Sequence, residues 1–144
     1  MQPTTDLYHG TNKAAAASIR ANGVDTGLST RRMDFGNGFY TTRDSQQAAD
    51  WAARFGKNGT VLHFQIPTSQ LDALNSRSFT EGDSSLAGFV RSYRGGSADT
   101  PYDMVEGPML MNPGKFMRGS APDWDGNQVT FFGDTGSMLD AGLQ

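Results

Sequence analysis

The sequence predicts an α+β fold, on three observations. Strand-like and helix-like runs are both present, but their order is strand, helix, hairpin, helix, then mostly strands, not the regular alternation of a parallel α/β protein. The 144 residues contain no internal repeat and no interdomain linker, so residues 1–144 read as one domain long enough to bury a core. Glycine accounts for 18 of the 144 residues, well above the usual ~7%. That fits short elements joined by many turns.

Each element has its own justification. "DLYHGT" is a short strand ending at Gly10. "NKAAAASIRANG" is a helix: Thr11 or Asn12 caps it, four alanines favour it, and Gly23 ends it. Residues 24–33 read as loop. "DFGNGFYTT", residues 34–42, reads either as a tight hairpin or as backbone that must approach a ligand closely. "DSQQAADWAARFG" is a second helix, capped by Asp44 or Ser45 and stopped at Gly56. Ala48, Trp51, Ala52 and Phe55 fall on one apolar face. "TVLHFQIP" is a strand closed by Pro67. "SSLAGFVRSYRGG" is a third helix, with Gly88 as an interruption. "YDMVEGPML" is one strand, or two broken at Gly107-Pro108. Residues 111–127, rich in Gly, Pro, Asn and Asp, read as a long surface loop. "QVTFF" is a final strand, and "DTGSMLDAGL" is a short terminal helix or turn.

Composition narrows the chemistry. The chain has no cysteine, which removes disulfides, thiolate metal sites and a cysteine nucleophile. No apolar run approaches the ~18 residues of a membrane span, and "MQPTTDLYHG" lacks the basic and apolar regions of a signal peptide. A net charge of −3 gives no global footprint for nucleic acid. Local basic groups exist: Arg31, Arg32 and Arg43 bracket the glycine-rich stretch, and Arg91 and Arg94 sit together. The informative residues begin as early as Tyr8, so the chain is expected to be a piece of a longer protein.

Three residues stand out as candidates for chemistry. His9 ends a strand in "YHGT", where side chains meet clefts; His63, mid-strand, reads as an ordinary strand residue. Neighbouring strand residues point to opposite faces. If Phe39 is the core residue, Tyr40 therefore faces the other way, where a planar ligand can stack on it. In "NQVTFF", Gln128 and Thr130 share one face, and Val129 and Phe131 the other. Asp123, Asp125 and Asp134 lack metal-ligand spacing, so no metal site is expected.

Taken together, "LYHGT", "GNGFYTTRDSQQAADWA" and a late strand with a polar first residue resemble the ADP-ribosyltransferases of the His-Tyr-Glu clade. "YDMVEGPML" and "QVTFF" look like a bacterial branch found among polymorphic-toxin domains. The resemblance covers most of the chain, apart from residues 68–100 and 111–127. It implies a split β-sandwich of two small antiparallel sheets with a few peripheral helices, and NAD bound as substrate in the cleft between them. It further implies His9, Tyr40 and Gln128 as catalytic residues. NAD contacts would come from His9, Gly10, Thr11, Gly38, Phe39 and Tyr40. His9 would hold a ribose hydroxyl, and Tyr40 would stack on the nicotinamide. The departure is Gln128, where the clade carries Glu: an amide can hydrogen-bond, but it supplies no charge and no general base.

The function this implies is mono-ADP-ribosyl transfer from NAD to a bacterial protein or RNA, such as an elongation factor or ribosomal RNA. The expected setting is interbacterial competition, with the toxin domain delivered by a secretion apparatus into the target-cell cytoplasm. The producing cell would need an immunity protein that blocks the cleft. Two other readings compete: a non-catalytic NAD- or nucleic-acid-binding module, and an NAD glycohydrolase or RNA 2′-phosphotransferase on the same fold.

Overall fold

A computed structural model describes residues 2–27, 33–95 and 100–144. It is α+β, with two sheets and several helices. Strand β1 (Thr4–Asn12) pairs antiparallel with β3 (Gly59–Pro67), with Leu7 opposite Phe64 and His9 opposite Leu62. The second sheet has four strands: β2 (Phe39–Thr41), β6 (Trp124–Phe131), β5 (Met104–Leu110) and β4 (Ser76–Ser78), in that order. Backbone hydrogen bonds join the sheets where the Tyr8 N–H donates to the Thr42 carbonyl at 2.8 Å and the Thr42 N–H returns the bond at 2.9 Å.

Period-two alternation builds the cores. Leu62, Phe64 and Ile66 of β3 are buried, and so are Leu7 of β1 and Phe39 of β2. With Val129, Phe131 and Leu139 they form one cluster between the two sheets. Side chains of this size contribute about 2 kcal/mol each when fully buried. The opposite face of the four-stranded sheet is also covered: Phe35, Phe79, Val105 and Phe132 pack with Leu86, Val90 and Phe116 from helices. Val129 and Phe131 face the first core, as the alternation predicts. Tyr40 packs against the second core, so the face it occupies is itself part of the interior.

Helix α1 (Lys13–Asn22) is capped by Asn12, whose Oδ1 accepts from the Ala15 N–H, and it ends at Gly23 with φ +89°. Thr11 is not the cap, because β1 runs on two residues past Gly10. Helix α2 is Ser45–Ala52, capped by Asp44, and a 3-10 turn over Ala53–Asn58 follows. Its buried face is narrower than the sequence suggests. Ala48 and Ala52 are buried, whereas Trp51 and Phe55 are 37% and 40% exposed. The reason is β1: a Cβ at Gly10 would overlap the Ala48 carbonyl oxygen, so the helix rests directly on strand backbone and only small residues fit the contact.

Other expectations need correction. Residues 34–42 form no hairpin; β2 has three residues and pairs with β6, Phe39 opposite Phe131. The loop expected over 111–127 contains helix α5 (Pro113–Met117), held by buried Phe116, and the first half of β6. Between β3 and β4 lies helix α3 (Thr68–Asp72), anchored by buried Leu71. Helix α4 (Ser84–Arg94) passes through Gly88 uninterrupted, because that position faces open space. Strand β5 is continuous, with its register shifted between Gly107 and Met109, where Pro108 lacks an N–H for the ladder. The chain closes with helix α6 (Gly136–Gly142). Arg31 and Arg32 lie outside the described residues.

Candidate functional site

A cleft of about 850 Å³ opens where the two sheets meet, bounded by α1, α2 and the residues that follow α1. His9, Gly10, Gly38, Phe39, Tyr40 and Gln128 all line it. The strands that carry them are far apart in sequence and come together through the β2–β6 pairing and the Tyr8–Thr42 junction. Thr11 is not among the lining residues; it is buried within β1. Asp123, Asp125 and Asp134 also lie outside the lining, while Asp25 and Gln47, which the sequence did not single out, and Trp51, expected on the apolar face of the second helix, belong to it.

His9 is fixed from two sides. Its Nδ1 lies 2.7 Å from the Tyr40 carbonyl oxygen, and its ring stacks on Phe39 with centroids 4.3 Å apart. A carbonyl only accepts, so Nδ1 carries the proton and Nε2 keeps a lone pair. Burial pushes the imidazole below its ordinary value, outweighing the opposing effect of the Tyr40 carbonyl. His9 is therefore a neutral ring that offers an acceptor.

Tyr40 serves the turn before it. Its hydroxyl accepts from the Phe35 N–H at 2.9 Å and donates to the Gly36 carbonyl at 2.7 Å. Burial pushes the phenol far above its ordinary value, so it stays protonated. The two glycines are needed by the turn itself. Gly36 has φ +90°, and a Cβ at Gly38 would lie 2.7 Å from both the Phe132 ring and the Thr130 methyl group.

Gln128 is 6% exposed. Its Nε2 donates to Asp34 Oδ2 at 2.8 Å and to the Pro108 carbonyl at 3.2 Å. Both amide hydrogens are thus used, which leaves Oε1 as the polar atom this cleft-lining side chain can still offer. Asp34, unremarkable in the sequence, is 4% exposed and also accepts from the Leu110 N–H at 2.8 Å and from Arg94 Nε at 2.7 Å. Its partners lie 60, 76 and 94 residues away in the chain, so no local pattern could announce it.

Two of the arginines noted in the sequence are engaged away from the cleft. Arg43 forms a two-pronged ion pair with Glu106 (2.6 and 2.9 Å), and Arg91 lies over the Phe116 ring. Burial raises Glu106, but hydrogen bonds from Arg43 and Asn127 more than offset it, and the carboxyl is held below its usual range. Among the described residues no lysine or arginine lines the cleft.

The sequence of this domain, compared with known families, matches the one described as "Protein of unknown function (DUF3990)" over residues 5–112. The chain belongs to that family. The matched span includes His9, Asp34 and Tyr40 and stops short of Gln128. No curated protein matches the chain.

Proposed function

We propose that the protein is a mono-ADP-ribosyltransferase that uses NAD, and that its two sheets are the split β-sandwich of that enzyme class. The observation that supports this reading is the convergence of His9, Tyr40 and Gln128, from β1, β2 and β6, on one cleft large enough for a dinucleotide. In this reading His9 Nε2 accepts from a ribose hydroxyl. The Tyr40 ring, whose hydroxyl is already committed to the turn, offers its face to the nicotinamide. Gln128 Oε1 accepts from a second hydroxyl near the bond that breaks.

The reaction cleaves the bond between nicotinamide and ribose and joins the ribose carbon to a nucleophile of the target. Gln128 supplies neither charge nor a base, so the nucleophile must be competent without help from that residue. The acidic balance of the chain, a net charge of −3, leans the reading toward a protein acceptor over RNA, because backbone phosphates are held by clustered Lys and Arg. We further propose the setting of a toxin domain delivered into a bacterial target cell, with an immunity protein that covers the cleft.

The experiment is incubation of the protein with a bacterial lysate and NAD labelled in the adenylate half. Label is expected on macromolecules, mainly protein, and protease against ribonuclease treatment separates the two acceptors. Gln128→Ala should lower turnover about a hundredfold while weakening NAD binding little, the size expected for one positioned hydrogen bond at a developing charge. NAD that stabilises the protein but is never consumed would identify a binding module instead. NAD with no effect on melting and no turnover would end the reading.

A further inference from the structure

We propose that Asp34 is a positioning residue of this cleft: it holds Gln128 so that it can only accept hydrogen bonds, and the ligand group met there is a neutral donor, a hydroxyl, not a phosphate or carboxylate. The step from cleft to reacting ribose rests on the transferase reading; the hold on Gln128 does not.

The geometry carries the argument. A free glutamine can turn its amide over and offer either end to a ligand. Gln128 cannot. Its nitrogen faces two acceptors, Asp34 Oδ2 at 2.8 Å and the Pro108 carbonyl at 3.2 Å. Turning the amide would set its oxygen against both, with no proton between them. Asp34 is fixed in turn. The Leu110 N–H reaches the same Oδ2, and Arg94 binds Oδ1, both from elements that pack the second core. Arg94 also gives the buried carboxylate an ion-pair partner. A strong acceptor on the nitrogen side draws electron density toward Oε1, which strengthens the amide as an acceptor.

The same network gives a physical reason for an amide at position 128. A glutamate there would place a second carboxylate against Asp34 and the Pro108 carbonyl, where every neighbour on that side is an acceptor. His9, whose Nε2 keeps its lone pair, lines the same cleft, so two of its side chains can meet a ligand only as acceptors. At those two positions the ligand must bring the protons, and a ribose, with vicinal hydroxyls, does so.

Two measurements test the proposal. The first does not depend on turnover. Gln128→Glu should be held in the same place only when it carries a proton to give to Asp34. Its folded-state titration is then raised, so its stability relative to wild type is best at low pH and is lost as pH rises from about 5 to 8. Asp34, paired with Arg94, is the charged group in contact with position 128; His9 and Asp25 line the same cleft and are common to both proteins. A melting-temperature difference that is flat across this range would overturn the proposal.

The second measurement is a double-mutant cycle on NAD consumption. Asp34→Asn should lower kcat at least about tenfold with KM within about threefold, and should cost nothing further in a Gln128→Ala background. An equal cost in both backgrounds would mean that Asp34 acts on the fold and not through Gln128, and would overturn the proposal. A wild-type protein that consumes no NAD would overturn the transferase reading alone, and the pH arm would then decide the role of Asp34. If Asp34→Asn does not fold, Gln128→Glu decides it as well.

Discussion

The two walls of the cleft present the same chemistry by different physical means. On the β1 wall, His9 is an acceptor because burial keeps its ring neutral and a backbone carbonyl fixes the proton on Nδ1. On the β6 wall, Gln128 is an acceptor because both of its donor hydrogens are taken. The first wall stands on a two-stranded sheet with a helix pressed against its backbone; the second stands on a four-stranded sheet with core on both faces and an internal ion pair behind it. One wall can therefore be switched by a proton and is sensitive to backbone packing. The other presents an amide, which carries no titrating proton, and is sensitive to its charged support.

The largest effect should come from the packing of the β1 wall. Gly10→Val would drive a side chain into the Ala48 carbonyl, and α2 would have to lift from β1. We expect a loss of about 3 kcal/mol or more, the upper end of overpacking costs, read from the urea midpoint. The contrasting substitution lies behind the β6 wall. Gly88→Ala in α4 meets nothing within 4 Å and should stabilise by about 0.5–1 kcal/mol through helix propensity. A Gly10→Val protein as stable as wild type, yet unable to bind NAD, would make Gly10 a ligand contact and not a packing position.

Tyr40 joins the walls: its carbonyl holds His9, and its ring packs on the core behind Gln128. Tyr40→Phe keeps the ring and removes the hydroxyl, leaving the Phe35 N–H and the Gly36 carbonyl without their partner. The expected cost is about 1–3 kcal/mol of stability, with NAD affinity within about threefold of wild type. Calorimetry beside a melting curve separates the two quantities. A large loss of affinity at unchanged stability would place the hydroxyl on the ligand and not in the turn. Tyr40→Ala, by contrast, mixes both roles and decides neither.

How much of this was legible in the sequence follows from the range of the contacts. Strands with strict alternation, such as "TVLHFQIP", and helices with a cap and a stop, such as α1, depend on near neighbours and were read correctly within a residue or two. Helix α5 was missed because its signal is a single buried residue, Phe116, among Pro, Gly and Lys. The first half of β6 was missed because Asp125, Gly126 and Asn127 look like a turn, and Gly126 does have φ +66°. The hairpin expected at residues 34–42 failed because the partner of β2 arrives about ninety residues later, Phe39 opposite Phe131. At the site, His9, Tyr40 and Gln128 could be named from resemblance and strand alternation. Asp34 could not be, because its burial and its partners exist only in the assembled fold.

The smallest expected effect separates the walls most cleanly. Folded His9 titrates below its ordinary value, while in the unfolded chain it takes up a proton near ~6.5. The folded state thus resists protonation that the unfolded state accepts. His9's contribution to stability is complete above ~6.5 and is lost as pH falls toward the folded value. Binding should follow the same group with a lower midpoint. Imidazolium has no lone pair, so NAD affinity should hold through ~6.5 and then fall about tenfold for each pH unit below the folded value. Gln128 has nothing to titrate in that range. His9→Phe, which preserves a ring to stack on Phe39, should bind NAD more weakly but with a flat pH profile. Titration calorimetry carried from pH 8 down to the acid limit of the folded state reads both proteins. A pH dependence that survives in His9→Phe would assign the proton to another group, and the contrast between a titrating wall and a fixed one would fall with it.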